Sequence, residues 1–160
     1  MTLTDKQIVL GVTGSIAAYK AVELVRALTT AGAGVRVVMT ASAQRFVTPL
    51  TFATLSRQAV LTDRVALEDE ATMPHIAAAH EADLLLVAPA TANTIAKFAQ
   101  GLADDLLSTL FLAWTRPIVL APAMDAAMAT IKAAAVSDYR VAQPADTKLQ
   151  KGEAPLTLEL

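Results

Sequence analysis

The chain has 160 residues, 54% of them apolar and 18% charged, with no cysteine, two histidines and a net charge of -2. That length suits one domain able to bury roughly two-thirds of its unfolded surface. The missing cysteines exclude disulfides, thiolate metal sites and thiol catalysis by this chain, and two histidines are too few for an imidazole metal cluster, so no metal is expected. The balanced charge lacks the basic footprint of a nucleic-acid or anionic-membrane partner.

The N-terminal MTLTDKQ is polar and leads into an apolar run too short for a signal peptide or a membrane span, so a cytoplasmic location is expected. Residues 7–28 then read QIVLGVTGSIAAYKAVELVRAL. Ile8, Val9 and Leu10 form a short apolar run of the kind a strand buried on both faces requires. Gly11 and Gly14 permit a tight turn and close backbone approach. Ser15 is placed to cap a helix carrying Ile16, Tyr19, Val22, Leu24, Val25 and Leu28 on its apolar face. Free N–H groups and partial positive charge at such a helix start favour an anion, although a plain strand-to-helix turn has the same pattern.

Further short apolar runs at 35–39, 83–87 and 117–120 read as strands, with helical patterns between them. Alternating β and α elements predict a doubly wound α/β parallel sheet, a flavodoxin- or Rossmann-like three-layer sandwich with right-handed crossovers. Ligands in such folds bind at the carboxyl ends of the strands. The four ends are GVTGS (11–15), TAS (40–42), APATAN (88–93) and APAMD (121–125), all small or short polar residues apart from the last Met and Asp. Such ends let backbone approach a flat ligand while hydroxyl and amide groups hold its polar edge. The two Ala-Pro-Ala turns are expected to line one crevice from adjacent strands. Asp104 and Asp105, in a helical stretch, are expected to be solvated or capping, and His80 to be a surface or packing residue.

The second strand end discriminates between cofactors. A nicotinamide dinucleotide site needs G-x-G-x-x-G in the first turn and an acidic residue near the second strand end for the ribose hydroxyl. Here the first turn lacks the full spacing and the second strand ends in Thr40 and Ser42. A mononucleotide is the better fit, with flavin favoured over nicotinamide.

The segments GVTGSIAAYKA (11–21), VVMTASAQRFVTPLTF (37–52), MPHI (73–76), ADLLLVAPATANTIAKFAQGLADDLLST (82–109) and APAMDAAM (121–128) resemble the flavin-containing cysteine decarboxylases, and within them the phosphopantothenoylcysteine decarboxylases of coenzyme A biosynthesis. Residues 1–128 are thereby identified as an FMN-binding decarboxylase-like domain. The resemblance implies FMN binding by Gly14, Ser15 and Ile16, by Thr40, Ala41 and Ser42, by Thr91, Ala92, Asn93 and Thr94, and by Ala123. It implies that His75 is the catalytic histidine, assisting deprotonation of the substrate thiol beside the flavin, and that Asp125 and Met128 bind substrate. The expected substrate is 4'-phosphopantothenoylcysteine, decarboxylated to 4'-phosphopantetheine. The expected assembly is a homotrimer or a higher homo-oligomer.

Two departures fall on the substrate side. The family pattern has Asn where this chain has Asp125, and an ionised carboxylate would repel the substrate carboxylate that the Asn amide binds. After Met128 the family continues into a substrate flap that carries a cysteine, whereas residues 133–160 resemble an internal piece of phosphopantothenoylcysteine synthetase, with Asp138 and Lys148 matching its CTP contacts. Residues 129–160 are therefore expected to be a partial ligase-like segment, joined between 129 and 132 by an internal deletion. Alternatives to the decarboxylase reading are a non-catalytic FMN-binding oligomeric module, a peptidyl-cysteine decarboxylase and a flavin prenyltransferase of the same fold.

Overall fold

The computed structural model describes residues 3–64 and 81–123. Strand β1 (Gln7–Val12) leads into helix α1 (Ala18–Thr30), strand β2 (Gly34–Met39), a short 3-10 turn (Ala43–Arg45) and helix α2 (Pro49–Ser56). Strand β3 (Leu84–Ala90) is followed by α3 (Ala92–Gln100), α4 (Leu106–Leu112) and strand β4 (Ile118–Pro122). The four strands form one parallel sheet in the order β2-β1-β3-β4. The predicted doubly wound α/β class and all four strands are found. Each strand except β2 runs two or three residues further toward its carboxyl end than its apolar run suggested.

The alternation of side chains along the strands builds two cores, one on each face. Ile8, Leu10 and Val12 of β1 pack with Val35, Val37 and Met39 of β2 against Ala18, Ala21 and Val25 of α1 and Phe52 of α2. Val9 packs on the other face with Leu85, Val87, Ile95, Phe98, Leu107, Leu110 and Trp114, which brings α3 and α4 against the sheet. There the Phe98 and Phe111 rings stack with centroids 3.9 Å apart. A Cβ at Gly11 would lie 2.7 Å from Leu107 Cδ1 and 3.4 Å from Val87 Cγ2, so the glycine creates the space that Leu107 fills.

Local signals set the helix ends. Pro49 opens α2, and Thr91 caps α3 by accepting from the Thr94 N–H at 3.3 Å. Gly101 closes α3 in the left-handed conformation at φ 66°. Asp105 caps α4 in a reciprocal capping box with Ser108, so the capping role expected of it holds, although Asp104 and Asp105 precede the helix rather than lie in it. The outer edge of β2 is covered by Leu61, whose N–H donates to Val37 O and whose carbonyl accepts from Met39 N, both at 2.9 Å. At the amino ends of the strands the Asp83 carboxylate accepts from the Gln7 N–H at 2.9 Å, and that hydrogen bond holds it below the usual carboxylate range.

Three expectations need correction. Helix α1 starts at Ala18, with Ala17 rather than Ser15 at the cap position; the Ser15 hydroxyl instead accepts from the Ala17 N–H at 3.2 Å, within the turn. Ile16 precedes the helix and is 75% exposed, and Tyr19 is also exposed, so the buried stripe is carried by Ala18, Ala21 and Val25. Val22, Leu24 and Leu28 pack, partly buried, against the same core, as expected of them. Third, residues 88–90 and 121–122 belong to strands: β3 and β4 continue pairing to Ala90 and Pro122 across a register shift, and the Ala88–Pro89 bond is cis. Residues 129–160, expected to be a ligase-like segment with Asp138 and Lys148, and His80 lie outside the described residues.

Candidate functional site

Strand order reverses between β1 and β3. The chain leaves β1 for β2 through α1 on one face, and leaves β3 for β4 through α3 and α4 on the other. In doubly wound sheets the carboxyl ends of the strands on either side of such a reversal form the ligand crevice.

Each wall is a strand end stiffened by a short hydroxyl side chain. On the β1 side Thr13 is fully buried; its Oγ1 donates to the Pro89 carbonyl at 2.5 Å and accepts from the Thr91 N–H at 3.0 Å. Gly14 follows, packed so closely on Ser42 that a Cβ there would collide with the Ser42 Cβ and lie 3.0 Å from its carbonyl carbon. The Ser15 N–H donates to Thr13 O at 2.9 Å, which curls the turn toward α1. On the β2 side the Thr40 N–H donates to Val12 O at 3.1 Å, and the Thr40 hydroxyl accepts from the Ala43 N–H at 3.2 Å. Ala41 and Ser42 are exposed at the rim. On the β3 side the Thr91 and Thr94 hydroxyls share a hydrogen bond at 3.0 Å, with Ala92 and Asn93 exposed in front of them. Ala123 joins from β4 by donating its N–H to Ala90 O at 2.8 Å.

Among the described residues these four strand ends are uncharged. Residues 11–18, 40–43, 88–95 and 121–123 contain no acidic or basic side chain. The N–H groups of Gly14, Ile16, Ala41, Ser42, Ala92 and Asn93 find no partner among the described residues, and the positive ends of the α1 and α3 dipoles lie on this side of the sheet. Such a donor set receives an anion or a ring of carbonyl acceptors without a competing carboxylate.

The charged cluster nearest in sequence serves the scaffold. Lys97 Nζ lies 2.7 Å from both Asp104 Oδ1 and Asp105 Oδ2, tying α3 to the cap of α4. The hydrogen bonds to Asp104 and Asp105 raise the Lys97 ammonium above its ordinary value. Burial pushes the Asp105 carboxyl up, but the bonds from Lys97 and Ser108 outweigh it and hold the group below the usual range.

Gly14, Ser15, Ile16, Thr40, Ala41, Ser42, Thr91, Ala92, Asn93, Thr94 and Ala123 thus all sit at one end of the sheet, on the four strand ends. His75, Asp125 and Met128 lie outside the described residues. Two residues escaped the sequence reading. Thr13 stood unassigned within GVTGS, and its partners are 76 and 78 residues away. Asp63 accepts from the Leu106 N–H at 2.7 Å, a link across 43 residues that no local motif signals.

The family model described as Flavoprotein matches residues 1–146. The coenzyme A biosynthesis bifunctional protein CoaBC of Bacillus subtilis is 52% identical over 126 residues, which are 79% of this chain and 31% of that protein. CoaBC of Escherichia coli is 48% identical over 128 residues, 80% of this chain and 32% of the relative, so the chain spans about a third of the length of these curated relatives. Among solved structures, the FMN-dependent cysteine decarboxylase TvaF from thioviridamide biosynthesis superposes with a TM-score of 0.74 at 31% identity, covering 81% of this chain and 84% of that one. A PPC decarboxylase mutant complexed with pantothenoylaminoethenethiol gives a TM-score of 0.69 at 30% identity over 80% of this chain and 76% of that one. With the crevice at the switch point of its sheet and the family model running through most of its length, the chain belongs to the Flavoprotein family.

Proposed function

We propose that the chain binds FMN in the crevice between β1 and β3 and decarboxylates 4'-phosphopantothenoylcysteine to 4'-phosphopantetheine. The observation that carries this reading is the donor set at the switch point: unpartnered N–H groups on three strand ends, with hydroxyls beside them and no carboxylate among the described residues. That set fits a phosphorylated flavin. The Ser15 and Thr40 hydroxyls each accept from a backbone N–H, which leaves the hydroxyl proton free to donate to a phosphate or a carbonyl oxygen. Gly14, Ser15 and Ile16, together with Thr40, Ala41 and Ser42, and Thr91, Ala92, Asn93, Thr94 and Ala123, would hold the cofactor.

When bound, FMN supplies an electron acceptor beside the carbon that carries the substrate thiol. His75 removes the thiol proton, and Asp125 and Met128 contact the substrate near its carboxylate. The chain works as a homotrimer or a higher homo-oligomer in the cytoplasm. Ile16, Tyr19, Phe46 and Leu50 support that assembly, being large apolar side chains exposed on the segments that leave β1 and β2. Among the described residues no helix is long and apolar enough to cross a membrane.

A second reading, an FMN-binding module without turnover, is supported by Asp125, an acceptor-only side chain when ionised and of the same charge as the substrate carboxylate. One experiment separates the two. The purified chain is titrated with FMN, then incubated with phosphopantothenoylcysteine while CO2 release is followed. Turnover that falls about a hundredfold in His75→Asn with FMN still bound supports the enzyme. FMN binding without CO2, restored by Asp125→Asn, supports the module. A folded chain that takes up no FMN overturns both.

A further inference from the structure

We propose that Thr13 is a positioning residue for the flavin, its hydroxyl setting the width of the crevice by clamping the end of β1 to the turn between β3 and α3. This inference rests on the FMN-binding reading. Thr13 follows the last residue of β1, and its polar side chain is fully buried. A buried hydroxyl is retained where its hydrogen bonds are needed. Both of its capacities are used across the switch point: the proton goes to the Pro89 carbonyl at 2.5 Å, and the oxygen accepts from the Thr91 N–H at 3.0 Å.

Those two partners flank the point where β3 ends. Regular β1–β3 pairing stops at Gly11 and Val87, and β3 then passes through a register shift before Ala90. Beyond Val87 no ladder joins β1 to β3, and the Thr13 hydroxyl takes over the spacing of these two strand ends. Thr91 also caps α3, and its hydroxyl bonds Thr94. The Thr13 bond to the Thr91 N–H thus fixes the start of α3 relative to Gly14, Ser15 and Ile16. The same turn carries Gly14 against Ser42, so one buried oxygen keeps three of the four strand ends in mutual register.

The test uses Thr13→Val, which keeps the shape and removes the hydroxyl, and Thr13→Ser, which keeps the hydroxyl and removes the methyl. FMN is titrated into each apo chain, followed by flavin fluorescence and visible circular dichroism, and the melting temperature of each apo chain is recorded. Thr13→Val is expected to raise the FMN Kd about tenfold or more and to alter the flavin dichroism, while Thr13→Ser stays within about threefold of the parent. If Thr13→Val does not fold, Thr13→Ser with Thr91 amide exchange decides: protection retained at parental level, with parental FMN affinity, supports the clamp, and loss of either overturns it. Parental FMN affinity and dichroism in a folded Thr13→Val overturns the proposal, as does a Thr13→Ser as weak as Thr13→Val. A parent chain that binds no FMN overturns the functional reading instead, so the two failures are told apart.

Discussion

Gly14 and Ser42 meet across the ends of β1 and β2 with no space between them for a side chain. The obstacle is the Cβ and backbone of Ser42 rather than the tip of a flexible side chain, so neither loop can yield cheaply. The glycine is required here for proximity: it allows two strand ends to present their N–H groups to the same volume.

Gly14→Ala is expected to push the β1 turn from the β2 turn, costing about 1–3 kcal/mol of stability and a larger share of flavin affinity. Urea denaturation of the apo chain and FMN titration check the two effects separately. Parental values in both would mean that the loops are free to separate.

Gly11→Ala places a methyl 2.7 Å from Leu107 Cδ1, and Leu107 is 1% exposed, so it has nowhere to go. The substitution is expected to cost about 1–3 kcal/mol, and Leu107→Ala alone about 2–5 kcal/mol. The double variant is expected to be more stable than the sum of the two predicts, because the new methyl enters the vacated space. A double-mutant cycle by denaturant melts measures that coupling, and strict additivity would contradict the packing.

The Lys97, Asp104 and Asp105 cluster predicts a two-sided pH dependence. Asp105 is depressed in the folded chain, so its contribution is complete above the ordinary value of 3.8 and is lost as pH falls through the lower folded value. Lys97 is raised, so its contribution is complete below the ordinary 10.5 and is lost as pH rises through the higher folded value. Asp105→Ala removes the capping box as well, costs about 1 kcal/mol near neutral pH, and is expected to flatten the acid limb of the stability profile. Melts from pH 2 upward on the parent and the variant check this; an unchanged acid limb would assign the acid loss to other carboxylates.

Much of the fold is legible without coordinates. Ile8, Val9 and Leu10, and the runs at 35–39, 83–87 and 117–120, read as buried strands because their side chains must satisfy both faces of the sheet at once. The composition of the strand ends is equally local, and it placed Gly14, Ser15, Thr40, Ser42, Thr91 and Asn93 together before the sheet order was known. The start of α1 was not legible: Ser15 has the side chain of a cap, yet the helix begins at Ala18, with Ala18 and Ala21 buried against the sheet. The continuation of β3 through Pro89 was hidden as well, since Pro within a sheet is confined to edges, strand starts and bulges and only pairing with β4 across a register shift extends this strand.

The sequence alone therefore determined which segments are strands, that their carboxyl ends are mostly small or short polar residues, and that a dinucleotide fingerprint is missing, all properties of neighbouring residues. Only the tertiary structure decided that β1 and β3 stand side by side, that Gly14 touches Ser42, and that Thr13 serves two partners more than seventy residues away. Strand order and register arise from the simultaneous packing of both sheet faces, a non-local balance that no stretch of residues carries by itself.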